Sequence, residues 1–246
     1  MVNGATYPVR ALIILARTPA LWRFIVIPLM VNLVVGLTIY LALLVAGMRA
    51  VDGWAAGLPA WASAFGILLR AILIIGLFLG TGFVLARFGV VLGAPWYSAL
   101  SERLERLRLR DAVPSGTTGV RGAVGDLLRA LRYEMKKLLL VVILSVLLLT
   151  LNIVPVAGTV VATGGALALG ATVACLDFLD GPLERRRLGF REKLGVVRRA
   201  LPGSASFGLV CFFLVSVPFL NLLTIPICVA AGTLFYCDRI QLRDSQ

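Results

Sequence analysis

Arg23 is the side chain in this sequence best placed to bind an anion. It stands one helical turn inside a Thr18-Pro19 start, directly before the uncharged run Phe24–Met48. A guanidinium donates paired hydrogen bonds to an oxyanion, and the first N–H groups of a helix add donors and a partial positive charge. The same position also suits a cation that anchors a membrane helix by reaching for phosphate headgroups. The sequence leaves both interpretations of Arg23 open.

Four further polar side chains are candidates for lining a pore. Arg70 and Arg87 lie towards opposite ends of the second apolar run, while Asn152 and Asn221 stand near prolines in the two later runs. A charge at the centre of a membrane helix costs about 2.5–3.5 kcal/mol, so each arginine needs water, a partner or a headgroup. The simpler interpretation is that the arginines mark helix ends and that the asparagines bond backbone groups freed by proline. If a pore exists, Arg87 is expected at its cytoplasmic mouth.

The sequence offers no constellation for catalysis or for a metal site. Histidine is absent, and the four cysteines are isolated within or at the edges of apolar runs, where they are expected to be buried small hydrophobes. Zinc or haem sites built on histidine are therefore excluded, as is Ser-His or Cys-His catalysis. Glu134, Asp177 and Asp180 are the carboxylates that an enzyme could use, and all stand at segment ends, as helix caps do. We predict a protein that is not an enzyme and needs no cofactor.

Composition predicts an all-α protein whose solvent is lipid. Hydrophobic residues make up 60% of the chain, whereas soluble domains contain about 45–50%. Three runs without a charge extend over residues 24–48, 138–176 and 202–237. A transmembrane helix needs about 20 such residues, so each run is long enough to enter a bilayer. The chain is predicted to be an integral membrane protein with several helices.

The formal net charge of +12 is distributed as a membrane topology requires. Lys and Arg cluster before the first run, at 103–137, at 185–199 and near the end of the chain. Positively charged loops stay in the cytoplasm, so both termini and both basic blocks are predicted on that side, with the Trp54/Trp61 loop outside. No zinc-finger spacing or aromatic-basic motif accompanies the charge, so nucleic-acid binding is not expected.

The predicted architecture is one membrane domain, 1–246, that begins with two long transmembrane helices. These are expected at about 18–48 and 63–93, and the second leaves the membrane through the GVVLGAP stretch. The amphipathic region 94–137 follows, with Leu100, Leu104 and Leu107 on one face of its first helix and Val124, Leu127, Leu128 and Leu131 on one face of its second. We predict a cytoplasmic helical hairpin for this region.

Two short hairpins are predicted for the later apolar runs, at 138–177 and 203–237. Each run begins and ends beside cytoplasmic charge and is interrupted by proline in its middle. Paired, proline-interrupted apolar segments are typical of transport sites. Between them, Asp180-Gly181-Pro182 is expected to stop one helix and start the basic amphipathic helix 183–201. Its seven bases and two acids suit docking to anionic headgroups of the inner leaflet.

Five stretches, in this order and spacing, resemble the CysZ sulfate permease family, which is related to the eukaryotic etoposide-induced membrane proteins. They are LWRFIVIPLMVN (21–32), GAPWYSALSERLE (93–105), NIVPVAGT (152–159), LDGPLERRRLGFREK (179–193) and VPFLNLLTIPICVAAGTL (217–234). The resemblance covers roughly residues 4 to 238. It implies a bacterial inner-membrane protein with two long transmembrane helices and two membrane-dipping hairpins, assembled into homo-oligomers with a pore. It also implies sulfate uptake for cysteine synthesis.

The resemblance also implies an anion site at the start of the first membrane helix. The family has a Gly-Leu-Arg-Arg turn there, and the matching positions in this chain are Ala20, Leu21, Trp22 and Arg23. The second arginine is present, whereas the glycine and the first arginine are not. A dianion usually needs several charge-assisted donors, so the side-chain half of the site is depleted. Transport of sulfate or a similar small oxyanion is the favoured function, and a non-transporting membrane scaffold that shapes the inner leaflet is the alternative.

Overall fold

The computed structural model describes residues 4–56, 63–109, 120–154, 156–217 and 220–241, and within them all side chains except those of 63, 86–91, 120–128, 130 and 221. Every regular element in these ranges is helical. The α-helices are α1 (Tyr7–Arg17), α2 (Arg23–Ala55), α3 (Ser63–Leu109), α4 (Val120–Leu151), α5 (Ala157–Arg185), α6 (Phe190–Arg199), α7 (Gly203–Ser216) and α8 (Leu220–Tyr236). Short 3-10 turns precede α1 and α2, and a π-helix, Cys237–Gln241, follows α8.

The helices confirm a multi-pass, all-helical membrane protein. Within the described ranges, four segments are long and apolar enough to cross a bilayer: Pro19–Ala55, Ala64–Leu85, Ala157–Arg185 and Leu222–Gln241. A fifth is added if α6 and α7, which meet at an angle of 106°, are counted as one broken span. The finer arrangement, two full spans with two hairpins that dip into the membrane, stays a prediction.

Helices α2 and α3 pack side by side and form an arm with a mostly apolar, exposed surface. Glycine allows their close approach at two levels. A Cβ atom on Gly36 would lie 2.1 Å from a methyl carbon of Leu85, and one on Gly47 would lie 2.9 Å from Leu73. In both cases the atom met is the end of a leucine side chain, so the glycines leave room for these leucines between the two helices.

The other packed part of the molecule, called the base below, is formed by α1, α6, α7, α8 and the last turns of α3 and α5. Its core is centred on Phe235 of α8, whose ring meets Tyr7 edge-on at 5.2 Å and stacks on Phe207 at 5.3 Å. Such aromatic pairs add about 0.5–1.5 kcal/mol beyond the area that they bury. All four cysteines are buried and unbridged, as expected for small hydrophobic side chains.

Two helices continue where the sequence predicts a break. Helix α3 passes through Pro95 to Leu109, and α5 passes through Gly181 and Pro182 to Arg185. A proline inside a helix loses one backbone hydrogen bond. Burial outweighs this loss, because the turns beyond each proline supply core side chains. These are Tyr97, Leu100 and Leu104 in α3, and Leu183 in α5.

The amphipathic segments differ from the prediction in three respects. Helix α4 runs without interruption from Val120 into the apolar run, so the second predicted amphipathic helix and the first limb of the hairpin are one element. Leu107 and Leu131 are exposed, although Leu100 and Leu104 are buried as predicted. Val124, Leu127 and Leu128 lie outside the described side chains. The basic amphipathic helix is confined to Phe190–Arg199 rather than 183–201.

Helix α1 is an amphipathic element that the sequence interpretation omitted. Tyr7, Ala11 and Leu15 recur at i, i+4 and i+8 and are buried against the base. Val9, Leu12 and Ile13 occupy the opposite face and are exposed. The helix therefore has two apolar faces, of which one packs on protein and the other is free for lipid.

Candidate functional site

The candidate anion site is the turn that leads from α1 into α2. Helix α1 ends at Arg17, the chain bends at Thr18, and Pro19–Leu21 form one 3-10 turn before α2 begins at Arg23. Thr18 precedes this turn and makes no side-chain capping hydrogen bond. Pro19 opens the turn, where its fixed φ angle suits a helical start.

The side chains of Leu21 and Trp22 hold this turn in place. Leu21 is 1% exposed and packs in the core of the base. The indole of Trp22 lies largely outside, but its Nε1–H donates to the carbonyl oxygen of Leu15 at 2.9 Å. The turn is thereby tied back to the last turn of α1.

The Arg23 side chain is exposed and available. Its guanidinium carbon lies 4.8 Å from the centre of the Phe24 ring, and Arg23 forms no ion pair within the described part of the chain. Ala20, which the resemblance places in the same site, is also exposed. Its methyl group contributes no hydrogen bond, so any contact with an anion there must come from its backbone.

Much of the turn's own backbone is already hydrogen bonded. The N–H groups of Leu21 and Trp22 donate to the carbonyls of Thr18 and Pro19, each at 3.0 Å. The N–H groups of Ile25 and Val26 both donate to the carbonyl of Trp22, at 2.9 and 2.8 Å. An anion at this turn therefore has fewer backbone donors than an uncapped helix start provides.

Arg70 is engaged at the opposite end of the arm. Its Nη2 and Nε donate to Asp52 Oδ1 at 2.7 and 3.2 Å, which links α3 to α2. Residues 23 and 52 are separated by roughly 43 Å of helix at 1.5 Å per residue. Arg70 and Arg23 therefore do not share a site.

Of the two asparagines and Arg87, only Asn152 has a described side chain. Asn152 lies just after α4, where its Nδ2 donates to the carbonyl of Leu148 at 3.2 Å, as expected for an amide that satisfies the backbone at a helix end. Arg87 falls within α3 and Asn221 within α8, but both side chains lie outside the described part of the structure.

A buried ion cluster, which the sequence interpretation missed, joins α3 to α5 in the base. Glu105 is 0% exposed, and its Oε2 accepts from Arg185 Nη2 at 2.8 Å while its Oε1 faces Arg186. Arg185 also donates to Ser101 at 2.7 Å, and Ser101 in turn accepts from Thr233 of α8 at 2.8 Å. Two guanidiniums around one carboxylate leave this cluster with an excess positive charge.

A second buried cluster fixes α6 to α5. Lys193 is 0% exposed, and its Nζ donates to Asp180 at 2.6 Å and to Glu184 at 2.7 Å, with the Tyr133 ring 4.0 Å away. Two expectations are corrected here. Asp180 pairs with lysine inside a continuous helix and does not cap a break, and this cation of the basic helix faces protein instead of lipid headgroups.

The last turn of α3 also meets the π-helix that follows α8 in the base. Arg108 Nε donates to Asp238 Oδ1 at 2.9 Å, and this bond raises the pKa of Arg108, which stays charged. Burial raises the pKa of the nearby Tyr7, which stays neutral.

The sequence carried a partial signal for these clusters. Ser101 and Glu105 stand four residues apart and lie beside the buried Leu100 and Leu104 on the helix surface. A carboxylate next to an apolar stripe usually lies at the solvent-exposed edge of a helix. Here the carboxylate is buried, and its partner Arg185 is 80 positions away in sequence. That distance in sequence is why the pairing was not foreseen.

Comparison with known proteins places this chain in a family. The model of the family described as sulfate transporter CysZ/etoposide-induced protein 2.4 matches residues 7–226. A sulfate transporter CysZ of Pseudomonas fluorescens is 31% identical over 228 residues, which are 90% of this chain and 88% of that protein. Proteins of the same name from Pseudomonas syringae and Salmonella paratyphi A are 30% and 26% identical, over 90% and 91% of this chain and 87% and 88% of theirs. The chain belongs to the sulfate transporter CysZ/etoposide-induced protein 2.4 family.

Proposed function

We propose that this protein carries sulfate, or a similar small oxyanion, across the bacterial inner membrane and so supplies sulfur assimilation. The relatives named sulfate transporter CysZ support the substrate. The observation that carries the proposal in this chain is the exposed guanidinium of Arg23 at the start of α2, without an ion pair in the described structure. A free cation at a helix start is suited to first contact with an anion.

In this proposal Arg23 is the anion ligand, and its neighbours position it. Buried Leu21 and the Trp22–Leu15 hydrogen bond hold the turn against the base, so that the guanidinium is presented at a fixed place. The N–H groups of Arg23 and Phe24 are the backbone donors closest to it. Movement of the anion is passive or coupled to another ion, since the sequence contains no phosphate-binding loop for ATP. A pore assembled by several copies, with Arg87, Asn152 and Asn221 towards it, completes the proposed path.

The test is radiolabelled sulfate flux into proteoliposomes that contain the wild type, Arg23→Ala or Arg23→Lys. We expect Arg23→Ala to reduce flux at least tenfold, because a charge-assisted hydrogen bond contributes about 1.5–3 kcal/mol. Arg23→Lys should keep part of the flux, since it retains the charge but loses the paired donors. Arg191→Ala is the matched control: Arg191 is an exposed cation of α6, away from the turn, and its loss should leave flux near that of the wild type.

Absence of flux would favour the scaffold. If folded wild-type protein gives no flux above empty liposomes, transport is rejected for this chain. The amphipathic helices α1 and α6, both of which belong to the base, are the observation that supports a membrane-shaping role in that case. If Arg23→Ala and Arg191→Ala have equal flux, transport stands but Arg23 is an anchor.

Replacement of Arg70 is expected to have a small effect. The Arg70–Asp52 pair is exposed on both sides, and exposed ion pairs contribute about 0–1 kcal/mol to stability. Arg70→Met should therefore leave the protein folded, with sulfate flux within about twofold of the wild type. A tenfold loss of flux in a folded Arg70→Met protein, measured in the same liposome assay, would instead place Arg70 on the anion path.

A further inference from the structure

An open groove runs between α4, α5 and α7, separate from the Arg23 turn. Its volume is about 840 Å³, and its walls are mainly apolar side chains of α4 and α7, such as Leu148, Phe212 and Val215. Small residues of α5, among them Ala162, Ala166, Gly170 and Ala174, line its floor. These four small residues recur every four positions and form a shallow strip along α5, beside larger lining residues such as Leu169 and Val173.

The groove has the length of a lipid chain. Its floor extends from Ala162 to Asp177 along α5, roughly 22 Å at 1.5 Å per residue. One bilayer leaflet's hydrocarbon is half of a core about 30 Å thick, so the groove can take one extended acyl chain along α5. Polar residues at the Ala162 end are satisfied locally, because Thr163 and Ser216 donate to carbonyls of their own helices.

The Asp177 end of the groove is charged, with an excess of carboxylates. Lys137 Nζ donates to Glu134 Oε1 at 2.8 Å and to Asp177 Oδ1 at 2.7 Å, so one ammonium is shared between two acids. Within the described structure the second carboxylate oxygen of Asp177, Oδ2, accepts no hydrogen bond. In the adjacent cluster, two cations face two acids; they are Lys193 and Arg129 against Asp180 and Glu184. Over these seven paired groups, three cations and four carboxylates, the balance is one negative charge, in a protein whose net charge is +12.

We propose that this groove binds a phospholipid with a primary amine in its headgroup, of the phosphatidylethanolamine class. One acyl chain lies on the small residues of α5, and the ammonium donates to Asp177 and Glu134. The exposed cations Lys136 and Arg132 stand two residues from Glu134 in α4, so they lie on the other side of that helix and leave the end of the groove to the carboxylates. The site therefore recognises the headgroup by its ammonium. This inference does not depend on sulfate transport.

The carboxylates at the end of the groove disfavour the binding of oxyanions and of other phospholipids. An oxyanion is repelled by the two carboxylates at the groove's end. Phosphatidylglycerol adds a negative charge without an ammonium to compensate. Phosphatidylcholine has the same net charge as phosphatidylethanolamine, but its quaternary ammonium has no N–H to donate. Selectivity for the primary amine over choline is thus the distinguishing property of the proposed site.

The test is a lipid titration of the full-length, detergent-solubilised protein, read by native mass spectrometry. Dioleoyl phosphatidylethanolamine, phosphatidylcholine and phosphatidylglycerol are the three probes. We expect the ethanolamine lipid to bind about tenfold more tightly than the choline lipid, since the latter lacks the charge-assisted hydrogen bonds. Asp177→Asn should remove most of this preference without abolishing binding of the acyl chain. Equal affinity for the three lipids, or preference for phosphatidylglycerol, overturns the proposal.

Two substitutions two positions apart on α5 test the groove itself. Ala166→Phe fills the floor and should lower the affinity for phosphatidylethanolamine at least tenfold. Ala168→Phe adds the same ring to an exposed residue that is not part of the groove lining, and should bind lipid as the wild type does. Size-exclusion profiles show whether each variant is folded. If Ala166→Phe leaves lipid affinity unchanged but dissociates an oligomer, the groove holds a second copy of the chain and the proposal is wrong.

Discussion

Glu105→Gln is expected to lower the free energy of unfolding by about 3–5 kcal/mol, because it leaves the largely buried guanidinium of Arg185 without its carboxylate. Glutamine has nearly the shape of glutamate, so the change removes the charge and little packing. The Oε2 atom of Glu105 accepts two bonds from Arg185, at 2.8 and 3.0 Å, and Oε1 faces Arg186. No water reaches the carboxylate, since its side chain is 0% exposed. The loss is therefore not compensated by solvent.

Glu102→Gln is the matched control for this experiment. Glu102 lies on the same helix, three residues earlier, and pairs with Arg106 on the exposed surface. Exposed pairs one turn apart contribute about 0.3–0.5 kcal/mol, so its loss should be barely measurable. Both variants are compared by SDS titration in mixed micelles, with helix content followed by circular dichroism. A loss below 1 kcal/mol for Glu105→Gln would mean that the two arginines reach water or lipid phosphate in the folded protein.

Gly208→Ala is expected to destabilise the contact between α5 and α7 by about 3 kcal/mol, at the upper end of overpacking costs. A Cβ atom on Gly208 would lie 2.1 Å from the carbonyl oxygen of Ala171, a backbone atom that no rotamer change can move away. The two helices must separate, and Phe207 and Cys211, which are buried beside this contact, lose packing with them. The measurement is the same SDS titration.

Gly164→Ala controls for the effect of the residue type alone. A Cβ atom on Gly164, in α5, would have no neighbour within 4 Å. Alanine there should increase stability by up to about 1 kcal/mol, because glycine in a helix interior carries an entropic cost. We therefore expect Gly208→Ala to lower the stability and Gly164→Ala to raise it. If Gly208→Ala does not lower the stability, α5 and α7 are packed less tightly than the structure indicates.

The fold class was predictable because long uncharged runs are stable in few structures other than membrane helices. The ends of the individual helices were less predictable, because local helix breakers compete with tertiary contacts between residues that are far apart in sequence. Pro95 and Pro182 are valid local breakers, but the residues that follow them are buried against helices far away in sequence. Only the tertiary contacts of Leu100 and Leu183 show that continuing the helix is favourable. Helix α1 was missed for the related reason that it is short and carries two charges, Arg10 and Arg17.

The candidate site was predictable to the extent that it is local. Arg23 and the turn before it follow one another in the chain, and the resemblance of that stretch identified them. The ion clusters of the base are assembled from α3, α5, α6 and α8, so no window of sequence contains them. Asn152 was correctly interpreted as a side chain that bonds nearby backbone, since that partner is only four residues away.

The contact of α1 with α8 has a consequence for biosynthesis. Tyr7 and Phe235, which pack ring against ring, are 228 positions apart. At a synthesis rate of about 5–20 residues per second, α1 waits roughly 10–45 s between leaving the ribosome and meeting its partner helix. During this time its buried face, with Tyr7, Ala11 and Leu15, has no protein to cover it. The bilayer surface is the environment that can cover this apolar face. The order of translation therefore makes α1 a peripheral membrane helix until α8 is synthesised, and only then a part of the folded base.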